Sequence, residues 1–206
     1  MKILFFLFFI LPCYSLTLSL IRHGNTINNE RNIYTGHLDI PIIPTTKIEM
    51  DEKYDYVICS PMLRCKQTLD VLNVDKQKII FDSRLIECGY GKLTGKKKNG
   101  DFERTFFNNP EDSSLFIGES IFEGGLRAYN AISYHRKHSL LKDSNVLILS
   151  HKNTLKGLWL FLKLEEIFNN RDVRDLNDFN ILKSNIESIL EKEIVPEFSN
   201  LKLEKI

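Results

Sequence analysis

The sequence predicts an α/β fold of three layers: a largely parallel central sheet flanked by helices. Three observations carry this. Short apolar runs of strand length alternate with longer stretches of helical periodicity, the pattern of a parallel sheet with crossover helices. Three of the apolar runs end abruptly in clusters rich in histidine, arginine and serine. Of the 206 residues, 43% are hydrophobic, which allows one domain with a sizeable core.

The elements follow in chain order. Leu16-Thr17-Leu18-Ser19-Leu20-Ile21 alternates and then turns apolar, as a strand entering a core does. Tyr54 to Cys59 is a second strand candidate. Ser60-Pro61 follows, and Pro61 suits the first position of a helix running through Arg64, Gln67 and Leu72. Lys78 to Phe81 is a third short strand. Phe122 to Lys142 reads as a helix leading into Asn145 to Leu149, which is fully apolar and therefore central in the sheet. Ser150-His151-Lys152-Asn153 opens onto an apolar helix from Thr154 to Leu164. A last helix is expected from about Leu176 to Glu193, with apolar positions at 179, 182, 186, 189 and 190.

The first residues have a different character. Lys2, an apolar run from Ile3 to Leu11, Pro12 and small residues at 13 and 15 form the pattern of a secretory signal peptide. The run is short for a membrane span. Residues 1–15 are therefore expected to be a leader and 16–206 a single domain, with no stable membrane span once the leader is removed. Cleavage implies an extracytoplasmic location, and retention a cytoplasmic one. The net charge of +1 gives no footprint for nucleic acid. The four cysteines, at 13, 59, 65 and 88, show no zinc spacing, and the later three are expected as core or near-site residues. Lys96-Lys97-Lys98 reads by itself as a solvated turn.

Arg22-His23, Ser60 to Arg64 and Ser150-His151 each begin where a strand ends. In open α/β sheets, ligands bind at the carboxyl ends of strands. Two of the clusters also open helices, whose free N–H groups favour anions. Two histidines and two arginines converging there suit a phosphoryl group. Histidine can attack phosphorus, and arginine can hold the oxygens with a planar fork of donors.

From Leu16 to about Leu164 the chain resembles the histidine phosphatase superfamily, which includes the phosphoglycerate mutases. The resemblance implies that His23, in Arg22-His23-Gly24, becomes transiently phosphorylated. It implies that Arg22, Arg64 and His151 hold the phosphoryl oxygens, and that Glu87 donates a proton to the leaving group. Finer features are similar to the 2,3-bisphosphoglycerate-dependent mutases. Asn29 lies six residues after His23, and Asn29 to Gly36 resembles the segment ending in Thr-Gly before an acid, here Asp39. Glu87 to Gly95 resembles Glu-x-x-Tyr-Gly-x-Leu-x-Gly, with Lys98 eight residues after Tyr90. Asn29, Thr35, Gly36, Tyr90, Lys98 and Asn153 are thereby implied at the substrate, with Arg104 as a single equivalent of the paired lid arginines. His37 departs from the usual aromatic and Lys152 from the usual glycine. The stretch 39–60 is shorter than in typical mutases, so one covering helix is reduced or lost, and the stretch 98–119, which contributes a lid in mutases, is also shorter.

The mechanism implied needs a neutral His23. Arg22 and Arg64 favour that form by like-charge repulsion. A donor aimed at developing charge is worth roughly 2.7–4 kcal/mol at oxyanion sites. No metal is expected, because the arginines and His151 supply the positive charge. The expected function is interconversion of 2- and 3-phosphoglycerate, with 2,3-bisphosphoglycerate as phosphodonor. The alternatives are a phosphomonoesterase acting on a small phosphorylated metabolite and a non-catalytic phosphate-binding relative. Tyr90, Lys98 and Thr35-Gly36 favour the mutase; the short lid and Lys152 favour the phosphatase, and a cleaved leader argues against glycolysis. An oligomer is compatible with the sequence.

Overall fold

The computed structural model describes residues 16–50, 52–75, 78–100, 118–138, 141, 143–168, 179–192, 196, 198 and 203–205. The leader at 1–15, Arg104, Lys142 and positions 176–178 and 193 of the expected last helix lie outside the described residues. The elements are β1 (Thr17–Arg22), α1 (Ile27–Glu30), β2 (Tyr56–Cys59), α2 (Leu63–Leu72), β3 (Ile79–Phe81), α3 (Ile121–Lys137), β4 (Asn145–Ser150), α4 (Lys152–Ile167), α5 (Phe179–Lys192) and β5 (Leu203–Lys205). Among these residues the sheet has five strands in the order β3-β2-β4-β1-β5.

The first four strands are parallel, and β4 is central, as its unbroken apolar character predicts. The register pairs Arg22 with Ser150 and Cys59 with Leu149, so the polar ends of β1, β2 and β4 stand side by side. β5 was not foreseen. It runs antiparallel to β1 and is a strand of three residues with no apolar run to announce it.

Alternate side chains feed two cores. Leu18, Leu20, Ile58, Val146 and Ile148 face α3, α4 and Ile186 and Ile189 of α5. Ile21, Val57, Cys59, Leu147 and Leu149 face Cys65, Leu69 and Leu72 of α2. This period of two builds the three layers. Each fully buried Leu or Ile contributes roughly 1.5–3 kcal/mol. Cys59, Cys65 and Cys88 are buried free thiols, in keeping with the core or near-site positions expected.

Helix ends differ from the sequence reading for identifiable reasons. α2 begins at Leu63, with Met62 as its N-cap, so Pro61 precedes the helix instead of opening it. The capping acceptor comes from a distance: the Leu63 N–H donates to the Asp39 carboxylate at 2.6 Å. α3 begins at Ile121 because Ser120 and Glu123 form a reciprocal capping box. It ends at Lys137, short of the expected Lys142. No helix covers the described part of 39–55, consistent with the shortened stretch there. Among the described residues no helix is long and apolar enough to cross a membrane.

α3 and α4 cross with backbone against backbone. A Cβ built on Gly125 would lie 2.5 Å from Gly157 Cα, and one on Gly157 would meet the Ile121 carbonyl. This contact fixes α4, which begins at the site, against α3.

Candidate active site

β1 delivers Arg22 and His23 to the carboxyl edge of the sheet, and the His23 N–H donates to the Ser150 carbonyl at 3.1 Å. His23 is only 3% exposed. Its Nδ1 lies 2.7 Å from the Gly24 carbonyl oxygen. A carbonyl can only accept, so Nδ1 carries the proton and Nε2 keeps its lone pair. Burial, then the charges of Arg64 and Arg22, hold the imidazole well below its ordinary pKa. The ring is therefore neutral, with one bare nitrogen. The turn is bolted to α2: the Gly24 N–H donates to Thr68 Oγ1 at 2.9 Å, and Thr68 Oγ1 donates to the Arg64 carbonyl at 2.6 Å.

Arg64, 1% exposed, is held from three sides. Nη1 donates to the Leu38 carbonyl at 2.8 Å, Nη2 to the Gly36 carbonyl at 2.9 Å, and Nε to His151 Nδ1 at 3.1 Å. A guanidinium can only donate, so His151 carries its proton on Nε2, which donates to Ser60 Oγ at 2.9 Å. Burial, with Arg64 next, keeps His151 neutral as well. The ring centroids of His23 and His151 are 5.1 Å apart. His151 is fully buried and stands behind Arg64, not in the cavity wall. Arg22 is tied more loosely: its Nη1 lies 3.5 Å from the Phe198 carbonyl, and its buried Nε has no hydrogen-bond partner among the described residues.

Glu87, 5% exposed, is held by its own segment and by α4. Its Oε1 accepts from the Cys88 N–H at 3.0 Å and from Thr154 Oγ1 at 3.3 Å. The backbone around it is pinned too. Arg127 of α3 donates to the carbonyls of Arg84 and Ile86, and pairs with Glu119. His37 Nε2 donates to the Glu87 carbonyl at 2.8 Å, so the departure from the family aromatic supplies a hydrogen bond.

These groups enclose a polar cavity of about 270 Å³. Its wall includes Arg22, His23, Asn29, Thr35, Arg64, Glu87, Tyr90, Lys98 and Asn153, nine of the residues read from the sequence. Asn153 Nδ2 donates to the Tyr90 hydroxyl at 2.9 Å. Burial, then the Glu87 charge, raises the Tyr90 phenol, which stays protonated. Asn29 Oδ1 accepts from Thr26, the N-cap of α1, in a reciprocal capping box. Lys98 lies 6.0 Å from the Tyr34 ring centroid and is half-buried, unlike the exposed Lys96 and Lys97. Gly36 is not in the wall. It turns the chain at φ +50, with the Tyr90 ring 3.2 Å from where a Cβ would sit, and offers its carbonyl to Arg64.

Asn32, Gly100 and Lys152 also line the cavity. Of these only Lys152 had a sequence signal, as a departure from the family glycine. Arg127 and Thr154 had none as supports of the Glu87 segment, because Arg127 reaches the Ile86 carbonyl across 41 residues and Thr154 reaches Glu87 across 67. Among the described residues no group of three or more histidine, cysteine, aspartate or glutamate side chains is arranged to hold a metal ion.

A largely parallel sheet with its polar cavity at the carboxyl ends of the inner strands defines an α/β enzyme of the phosphoglycerate mutase-like fold. The chain belongs to the histidine phosphatase superfamily, branch 1, whose family model matches residues 18–174. It is 28% identical over 168 residues to a 2,3-bisphosphoglycerate-dependent phosphoglycerate mutase of Mesorhizobium japonicum, covering 72% of this chain and 82% of that one. Its fold is similar to a crystal structure of an Entamoeba histolytica phosphoserine phosphatase, with TM-score 0.59, 15% identity, and coverage of 92% and 89%. It is also similar to an Escherichia coli putative alpha-ribazole-5'-P phosphatase, with TM-score 0.54, 21% identity, and coverage of 69% and 76%.

Proposed function

We propose that the protein transfers phosphoryl groups through a phosphohistidine on His23, and that it interconverts 2- and 3-phosphoglycerate. The observation that carries the transfer is the hydrogen bond from His23 Nδ1 to the Gly24 carbonyl, which leaves Nε2 bare in a cavity walled by Arg22 and Arg64. Nε2 attacks phosphorus in line, the guanidiniums take the charge on the equatorial oxygens, and the P–O bond to the alkoxide breaks. Glu87 supplies that oxygen with a proton. His151 acts through Arg64, whose fork it orients. Bound 2,3-bisphosphoglycerate would supply the first phosphoryl group to His23. The cationic and hydrogen-bonding wall of Lys98, Tyr90 and Asn153 suits the carboxylate of a phosphoglycerate.

The identity of Lys152 favours a second reading, phosphomonoester hydrolysis. A charged side chain replaces the family glycine at the wall, and a more open, wetter cavity lets water take the phosphoryl group. One experiment addresses both readings. The protein is incubated with 3-phosphoglycerate and catalytic 2,3-bisphosphoglycerate, and 2-phosphoglycerate is scored against free phosphate. An excess of 2-phosphoglycerate is expected. Free phosphate as the main product moves the assignment to the phosphatase. His23→Ala is expected to lose both products and all acid-labile phosphoprotein, and label persisting in that variant would remove His23 as the nucleophile.

A further inference from the structure

Glu87 lies in a segment outside the sheet. From Glu87 to Tyr90 the chain has no regular secondary structure, so its backbone groups need partners other than a ladder. Side chains supply them. The carbonyls of Arg84, Leu85, Ile86 and Glu87 accept in turn from Arg127 Nη1, Ser150 Oγ, Thr154 Oγ1 and His37 Nε2, at 2.6, 2.6, 2.9 and 2.8 Å. The first three donors stand on α3, β4 and α4. His37 comes from the loop after α1, and its neighbours there serve Arg64 and α2. The Gly36 and Leu38 carbonyls hold Arg64, and Asp39 caps α2. His37 thus links the loop that seats Arg64 to the backbone of Glu87.

The bond from His37 falls on the one peptide that also holds the Glu87 carboxyl. The Glu87–Cys88 peptide is planar, so its C=O and N–H turn together. His37 Nε2 donates to that C=O, and the N–H donates to Glu87 Oε1 at 3.0 Å. Each bond polarises the peptide in the sense that strengthens the other. The His37 ring also lies against the backbone two residues on: a Cβ built on Gly89 would sit 3.4 Å from His37 Cε1. The Thr154 N–H reaches the same Oε1 at 3.4 Å. Both N–H groups can only donate, so Oε1 stays an acceptor and a proton on the carboxyl sits on Oε2.

We propose that His37 is a positioning residue for phosphoryl transfer: it locks the Glu87–Cys88 peptide, so that Oε1 is anchored and Oε2 carries the proton to the leaving oxygen. This rests on the phosphoryl-transfer reading. As His23 Nε2 bonds to phosphorus and the P–O bond breaks, the alkoxide takes the Oε2 proton and Glu87 is left as a carboxylate. His37 itself is not in the cavity wall and acts through Glu87. It is an exposed residue, so its replacement opens no cavity in the core. Phenylalanine at this position keeps an aromatic ring but has no donor, and the peptide is then free to turn.

The test separates phosphodonors by their need for a proton. Bisphosphoglycerate releases an alkoxide, which must be protonated, whereas 4-nitrophenyl phosphate releases a phenolate that is stable without a proton. Rapid quench follows acid-labile phosphoprotein formed in a single turnover of the full chain. His37→Phe is expected to slow labelling from 2,3-bisphosphoglycerate about tenfold, and from the aryl ester by less than about threefold. His37→Gln keeps an Nε2 donor and is expected to stay within about threefold of the unmodified rate with both. In a Glu87→Gln background, His37→Phe is expected to add less than about threefold. Equal losses from the two donors, a loss in His37→Gln as large as in His37→Phe, or full additivity with Glu87→Gln overturns the inference and leaves the transfer reading standing. If the unmodified protein takes label from neither donor, the transfer reading falls and the inference with it.

Discussion

At the scale of single residues, the site depends on two imidazoles kept neutral against the preference of water. His23 and His151 are both held well below the ordinary value of 6.5, first by burial and then by Arg64. The sign of the linkage follows. Below pH 6.5 the unfolded chain takes protons on these rings and the folded chain does not, so stability falls as pH falls. The loss reaches up to roughly 1.4 kcal/mol per pH unit for each ring, until the lowered folded values are reached. Denaturant melts between pH 7.5 and 5 are expected to show this slope, and His151→Gln to show a shallower one. An unchanged slope in that variant would remove His151 from the titrating pair. The residues of this chemistry were legible in the sequence because each follows an apolar strand. Their tautomers were not, since those depend on the Gly24 carbonyl and on Arg64 reaching across 87 residues.

At the scale of elements, the Gly125–Gly157 contact sets the position of α4 and so of Lys152, Asn153 and Thr154. Alanine is the better helix former by about 1 kcal/mol. That gain is outweighed here, because the new methyl of Gly157→Ala meets the α3 backbone, which cannot rotate away. The variant is expected to lose about 1–3 kcal/mol, the usual cost of overpacking. Chemical denaturation measures the loss, and a stabilised variant would mean that the helices separate freely. β1, β2, β4 and the three long helices were legible because their apolar periods are sustained. The start of α2 was not, because its cap is Asp39, 24 residues upstream. Pro61 was the strongest local signal, and it lies one residue outside the N-cap. Arg104 lies outside the described residues, so the expectation of a lid arginine stands where the sequence left it.

At the scale of the whole molecule, the site is assembled from distant parts of the chain. β1 and β4 are hydrogen-bonded neighbours, yet Arg22 pairs with Ser150. β5, close to the end of the chain, pairs on the far side of β1. Near it, Phe198 is fully buried, and its carbonyl meets Arg22. This antiparallel strand could not be read from Leu203-Glu204-Lys205, where only the partner strand gives the segment its conformation. A chain ended after residue 195 is expected to lose stability and phosphoryl-transfer activity together, through β1 and Arg22. Thermal melting and the phosphoprotein assay check this, and full activity in the truncated chain would detach β5 from the site.

The two margins of the sheet bear on how molecules of this protein meet one another. β3 and β5 are each three residues long, and β1, with six, lies just inside β5. Unpaired strand edges act as templates for neighbouring chains, and short edges are poor templates. β5 therefore shields the strand that leads to His23 from intermolecular pairing. A nick or a mutation that releases the tail would free the edge of β1 at Ser19, Leu20 and Ile21, a strand edge able to seed aggregation.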